Sequence, residues 1–202
     1  MDHGQRRLPY RETPAEYAAE IRRQRGNGRL LAAVAQDFMC EEDILERTGL
    51  TVADHQRLTL DRYDELAACD TGGIYVLPVL QGYSPSEYVD HLEAYGDRLA
   101  PGAWVGVGSV CKRNVNLLSI LRVFSLIQEE RPDLRLHGFG LKGEALTWRP
   151  IRALLHTADS MAWSFAARKQ GRNQNDWHEA KAFQQRFEVE PEQLALEMGG
   201  AA

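Results

Sequence analysis

Five apolar runs, each ending in a polar or glycine residue, constrain this 202-residue chain more than any other feature. Leu30 to Gln36 ends at Asp37, and Ile74 to Leu80 ends at Gln81-Gly82. Trp104-Val105 runs into Gly106-Val107-Gly108-Ser109, and Leu134 to His137 runs into Gly138-Phe139-Gly140. A short run at Thr157-Ala158 reaches Asp159-Ser160. Stretches with helical spacing separate most of the runs. Alternating strands and helices predict an α/β fold with a parallel sheet, and function then collects at the C-terminal ends of the strands. Here those ends supply a carboxylate, an amide, a glycine backbone and a second carboxylate, the furniture of an enzyme pocket.

Local signals place the helices. Thr13-Pro14 starts one, with Thr as N-cap, Pro in the first turn and Glu16 behind it; it runs through Ile21 and stops at Gly26. A short helix over 41–47 closes at Gly49. Thr51 opens a long amphipathic helix to Cys69, with Val52, Leu58, Tyr63 and Leu66 turned inward. Asp70-Thr71-Gly72-Gly73 reads as a turn, and Ser84-Pro85 starts a helix to Leu99. The helix over 115–130 carries Leu117, Leu118, Leu121, Phe124 and Ile127 on its apolar side. Further helices are expected over 146–155 and 176–187. Residues 1–29 form an N-terminal helix and linker, 30–187 the main domain, and 188–202 a flexible tail.

Hydrophobic residues make up 44% and charged residues 26%, with a mean hydropathy of −0.43, as in soluble globular proteins. No apolar stretch is long enough to span a bilayer, and the polar N-terminus lacks a signal-peptide core. A cytoplasmic protein without a membrane partner is expected. The three cysteines, Cys40, Cys69 and Cys111, form no CxxC pair, so neither a disulfide framework nor a metal site is indicated. A net charge of −5 leaves nucleic-acid contact to local basic patches. Arg168-Lys169 with Arg172 is the first candidate and Lys112-Arg113 the second; each also reads as a solvated loop.

The pairing of Asp37 with Gln81 suits a guanine-type base. Such a base shows two adjacent donors beside the O6 acceptor; a carboxylate accepts from both donors, and a primary amide serves O6 or a ring nitrogen. Backbone N–H groups of Gly106, Val107 and Gly108 would complete the edge, since glycine lets a ligand approach closely. Asp37 also reads as a helix N-cap, Gln81-Gly82 as a turn, and the glycines as a plain turn after a strand. Asp159 at a strand end can attack an anomeric carbon, or it can cap the helix that follows.

Taken in order, Gln36-Asp37, Val79-Leu80-Gln81-Gly82, Val105-Gly106-Val107-Gly108-Ser109-Val110, His137-Gly138-Phe139-Gly140 and Ala158-Asp159-Ser160-Met161-Ala162-Trp163 through Arg168 resemble the tRNA-guanine transglycosylase superfamily. The likeness spans residues 10–172 and is greatest to the branch that inserts 7-deazaguanine into DNA. It implies a (β/α) TIM-type barrel and a base exchange through a covalent aspartyl-glycosyl intermediate, without a cofactor. Asp159 falls on the nucleophile. Asp37, Gln81, Gly82 and the segment Gly106, Val107, Gly108 fall on positions that bind the base. Arg168 to Arg172 falls where the family touches nucleic acid.

Two departures accompany the resemblance. The family's structural zinc site is a cysteine cluster with His after the nucleophile, and no cysteine follows Cys111. Its Asp-Ser-Gly-Gly-Phe segment, with a second aspartate proposed as general acid/base, has no counterpart before Asp37. With five strands visible where closure takes eight, the expectation is a barrel incomplete at its N-terminus. The resemblance implies DNA or tRNA and a 7-deazaguanine base as partners, with a partner subunit or a homo-oligomer completing the assembly. Two other readings stay open: a catalytically inactive base- or nucleic-acid-binding partner subunit, and a base-removing N-glycosidase.

Overall fold

The computed structural model describes residues 10–111 and 116–187. Its strands are β1 (Ala32–Val34), β2 (Tyr75–Leu77), β3 (Val79–Leu80), β4 (Trp104–Val107), β5 (Arg135–Gly138) and β6 (Thr157–Ala158). β1 pairs with β2, and β3, β4, β5 and β6 form a second sheet in that order. All the pairings are parallel. Within each sheet the strands follow chain order with no reversal, so each C-terminal end opens on the same edge.

The sequence predicts one strand over 74–80, and Pro78 divides it. Proline has no N–H to give to a ladder. Its carbonyl still accepts from the Gly106 N–H at 2.8 Å, so a single extended segment borders both sheets.

The helices are α1 (Pro14–Gln24), α2 (Glu42–Thr48), α3 (Val52–Ala67), α4 (Pro85–Tyr95), α5 (Leu117–Glu130), α6 (Gly143–Thr147), α7 (Arg149–Arg152), α8 (Ala162–Lys169) and α9 (Trp177–Gln185). Capping boxes start three of them: Thr13 with Glu16, Thr51 with Asp54, and Ser84 with Glu87. Gly49 ends α2 at φ 66°, a left-handed conformation that a side chain would strain.

The helix expected over 146–155 is two short ones. Trp148 leaves the helical region with ψ 110°, and Pro150 in the first turn of α7 cannot continue the ladder from α6. On α5 the buried face is Ile120, Val123, Phe124 and Ile127, whereas Leu118 is 68% exposed. Its apolar stripe is therefore rotated from the expected one. On α3 the buried residues are His55, Gln56, Thr59 and Leu66, a polar face that the apolar pattern did not indicate.

The main core packs α4 and α5 on β4 and β5. Leu80, Tyr88, Tyr95, Val105, Val107, Phe124, Ile127 and Leu136 lie in it. A smaller cluster joins Ala18 and Ile21 of α1 to Ala33 of β1 and Leu66 of α3. Burying apolar surface of this kind contributes about 25 cal/mol per Å². Among the described residues no helix is long and apolar enough to cross a membrane.

Candidate active site

Asp37 lies three residues beyond β1 and caps no helix, since Glu41 holds the N-cap position of α2. Its carboxylate accepts a short hydrogen bond from the Gln81 side-chain amide. The Tyr10 hydroxyl donates to the Asp37 carbonyl at 2.8 Å and accepts from its N–H at 3.1 Å. Burial pushes the Asp37 carboxyl above the usual carboxylate range, and the Gln81 hydrogen bond works against that shift.

Gln81 is not a turn amide. It is fully buried directly after β3, and every polar group on it is used. Its side-chain oxygen accepts from Ser109 Oγ at 2.8 Å. Its N–H donates to His91 Nδ1 at 2.9 Å, and its carbonyl accepts from Gln56 Nε2 at 2.8 Å. Burial holds the His91 imidazole down at about 4, so it is neutral near pH 7 and Nδ1 remains an acceptor.

The glycines serve close approach, though by the protein's own side chains. A Cβ on Gly108 would overlap the Gln81 amide, and one on Gly106 would overlap the Phe139 ring. A Cβ on Gly82 would come within 3.0 Å of the Tyr88 ring. The expected backbone donors are also engaged. Gly106 N–H goes to Pro78 O at 2.8 Å and Gly108 N–H to Leu80 O at 2.9 Å. The Val107 carbonyl accepts from Phe139 N–H at 3.3 Å. These strand bonds leave the Gly106 and Gly108 N–H groups unavailable to a base, which corrects the sequence expectation. Ser109 follows at φ 55°, a left-handed conformation rare for a residue with a side chain. Its hydroxyl accepts from Cys40 N–H at 3.2 Å while donating to Gln81.

Asp159 stands one residue past β6 and does not cap α8, whose N-cap is Met161. Oδ1 accepts from Gly140 N–H at 2.8 Å and lies 3.4 Å from His137 Nε2. Burial raises this carboxyl, but the hydrogen bonds from His137 and Gly140 outweigh it and leave the group below its ordinary value. The β5–β6 register sets His137 opposite Thr157. His137 Nδ1 is 2.8 Å from Thr157 Oγ, which also accepts from Trp104 Nε1 at 3.0 Å. Asp159 and Ser160 line a cavity of about 490 Å³ together with Trp163, Arg152 and Phe183.

Beside the Asp159 turn, Cys111 lies between Gly140 and Glu41. Cys111 Sγ lies 3.7 Å from Glu41 Oε1, and Cys111 Cβ packs 2.9 Å from where a Cβ on Gly140 would stand. Gly140 has φ 62°, so this turn also needs glycine. Asp37, Gln81, Gly108 and Ser109 thus form one group, and Gly140, Asp159 and His137 a second beside it.

On α8, Lys169 Nζ sits 4.7 Å and the Arg168 guanidinium 5.3 Å from the centre of the Phe165 ring, which is 49% exposed. Arg172 is instead tied to Glu179 at 2.6 Å and to Gln170. Lys112 and Arg113 lie outside the described residues. Among the described residues no group of three or more His, Cys, Asp and Glu side chains is placed to hold a metal ion.

Sequence reasoning missed the supports. His55 Nδ1 meets Met39 O at 2.7 Å, Thr59 Oγ accepts from Phe38 N–H at 2.9 Å, and Gln56 holds both Gln81 O and Glu87 O. Their spacing on α3, at i, i+1 and i+4, was the available signal. No curated protein matches the chain. The family model for DpdA, DeoxyPurine in DNA protein A, matches residues 8–182, from before α1 into α9. A match of that extent, over strand ends arranged in this way, shows that the chain belongs to the DpdA family of transglycosylase-like DNA-modification proteins.

Proposed function

We propose that this protein exchanges guanine for a 7-deazaguanine in DNA, with Asp159 as the nucleophile at C1′. The observation that carries the reading is the state of Asp159. It is a strand-end carboxylate held below its ordinary pKa, with Oδ1 engaged by Gly140 and His137, no helix-capping duty, and a cavity alongside. With Oδ1 engaged, Oδ2 is the oxygen left to attack the sugar. The covalent ester then holds the sugar while one base leaves and another enters.

In this reading Asp37 and Gln81 recognise the base edge, and Gly82, Gly106, Val107 and Gly108 shape the floor beneath them. The amide and carboxylate now bound to each other would open to the donors and acceptor of the base. Arg168 and Lys169, both over the Phe165 ring, would lie along the DNA backbone, and a target base in duplex DNA would be flipped out of the stack. Arg172 would orient that segment through Glu179. Lys112 and Arg113 would add positive charge to the DNA contact. Parallel strands in chain order suit an arc of a (β/α) barrel, whose active sites lie at these strand ends.

The test is Asp159→Asn in the full chain. Exchange of labelled base into DNA and covalent trapping of the polymer should both disappear while the fold is kept. Exchange at the wild-type rate by this variant would end the assignment.

A further inference from the structure

Exchange of a purine at C1′ moves protons as well as a sugar. The departing guanine carries off an electron pair and must be protonated to leave as a neutral base. The incoming 7-deazaguanine arrives with N9–H and must lose that proton before N9 can bond to carbon. A carboxylate acting as nucleophile cannot perform both tasks while esterified.

We propose that His137 carries this proton, giving it to the departing guanine and taking one back from the incoming base. The inference rests on the reading of Asp159 as nucleophile. Among the described residues His137 is the one basic side chain within 4 Å of the Asp159 carboxylate, its Nε2 lying 3.4 Å from Oδ1. Its other nitrogen meets a neutral hydroxyl, Thr157 Oγ at 2.8 Å, which is held in turn by Trp104 Nε1. A hydroxyl can face either protonation state of Nδ1, because it both donates and accepts. The ring is fixed between Phe139, at 4.6 Å between centroids, and Trp104, at 6.2 Å. The ring is therefore held in place beside Asp159.

Other ionisable groups nearby are less well placed. Glu41 and Cys111 face each other beyond Gly140, His156 lies across the Trp104 ring, and Arg152 is another residue lining the cavity. Arg152 cannot lose its proton in this range.

The steps balance. Asp159 Oδ2 bonds to C1′ as the C1′–N9 bond breaks, the electron pair passes to the purine, and the His137 imidazolium protonates it. In the second half neutral His137 accepts the N9 proton of the 7-deazaguanine and N9 bonds to C1′. The ester bond breaks, and its electron pair returns to Asp159. His137 ends as it began, and no oxidant or reductant takes part.

The experiment compares two leaving groups in single-turnover release of base from DNA, guanine and 7-methylguanine. The second leaves as a neutral base without gaining a proton. His137→Gln keeps a side-chain N–H for Asp159 but cannot supply the proton. It should slow guanine release about 10²- to 10⁴-fold, the usual worth of a general acid, and slow 7-methylguanine release far less. The proposal is overturned if His137→Gln releases guanine at the wild-type rate, or slows both bases equally. Those results differ from an active Asp159→Asn, which would remove the nucleophile reading beneath it.

Discussion

Asp37 and Gln81 satisfy each other in a partly buried setting, and this sets two opposite demands on Asp37. A buried carboxylate is costly, which is why its carboxyl is pushed upward. Recognition of a base with two donors needs that same carboxylate ionised. Asp37→Asn should therefore raise the thermal midpoint of the protein while weakening its binding of a 7-deazaguanine. Asp37→Ala should cost about 1.5–3 kcal/mol of that binding, the range for a hydrogen bond to a charged group. Calorimetric titration checks both variants, and unchanged affinity would take Asp37 out of the pocket.

His91 makes a second claim at this scale. Its imidazole is neutral in the fold down to about 4, whereas in the unfolded chain it protonates near pH 6.5. The unfolded state then binds the extra proton across that window, so stability falls as pH drops below 6.5 and levels off near 4. The loss is on the order of 3 kcal/mol, at 1.36 kcal/mol per pH unit. Urea unfolding at pH 7 and pH 5 should show the fall, and His91→Gln should flatten it. A slope unaltered in the variant would mean that another group is responsible.

At the scale of elements, what the sequence disclosed follows from which signals are local. Capping residues act within one turn, so α1, α3 and α4 begin where Thr13, Thr51 and Ser84 predict. Strand ends were legible because apolar runs stop abruptly at Asp37, Gln81 and Asp159. The facing of helices was harder to read. Polar His55, Gln56 and Thr59 of α3 point inward because the loops after β1 and β3 present bare backbone groups there. A buried backbone carbonyl or N–H demands a partner, and only the tertiary arrangement reveals it. The same holds for His137. As a residue it was only part of a motif; its position beside Asp159 follows from the register of β5 with β6. The use of Gly106 and Gly108 N–H groups in strand pairing was hidden for the same reason.

For the whole molecule the charge distribution matters more than the sum. A chain with net charge −5 meets a polyanion only where the field is locally positive. On α8, Arg168 and Lys169 both lie over an exposed aromatic ring, a combination suited to phosphate and to base stacking. Replacing both with Ala should weaken DNA binding and lower the slope of log affinity against log salt by about 2, near 0.9 for each lost phosphate contact. Fluorescence anisotropy over a salt series measures it, and an unchanged slope would place the DNA elsewhere.

The contact between Gly106 and Phe139 reaches beyond the static site. Each bare glycine face at the end of β4 and just beyond it is filled by one particular neighbour, the Phe139 ring over Gly106 and the Gln81 amide over Gly108. A side chain gained at 106 has room only where the one at 139 has shrunk, so two single changes that are each harmful can be harmless together. Positions 106 and 139 therefore behave as one unit for substitution, and a change at either is tolerated or not according to the side chain at the other.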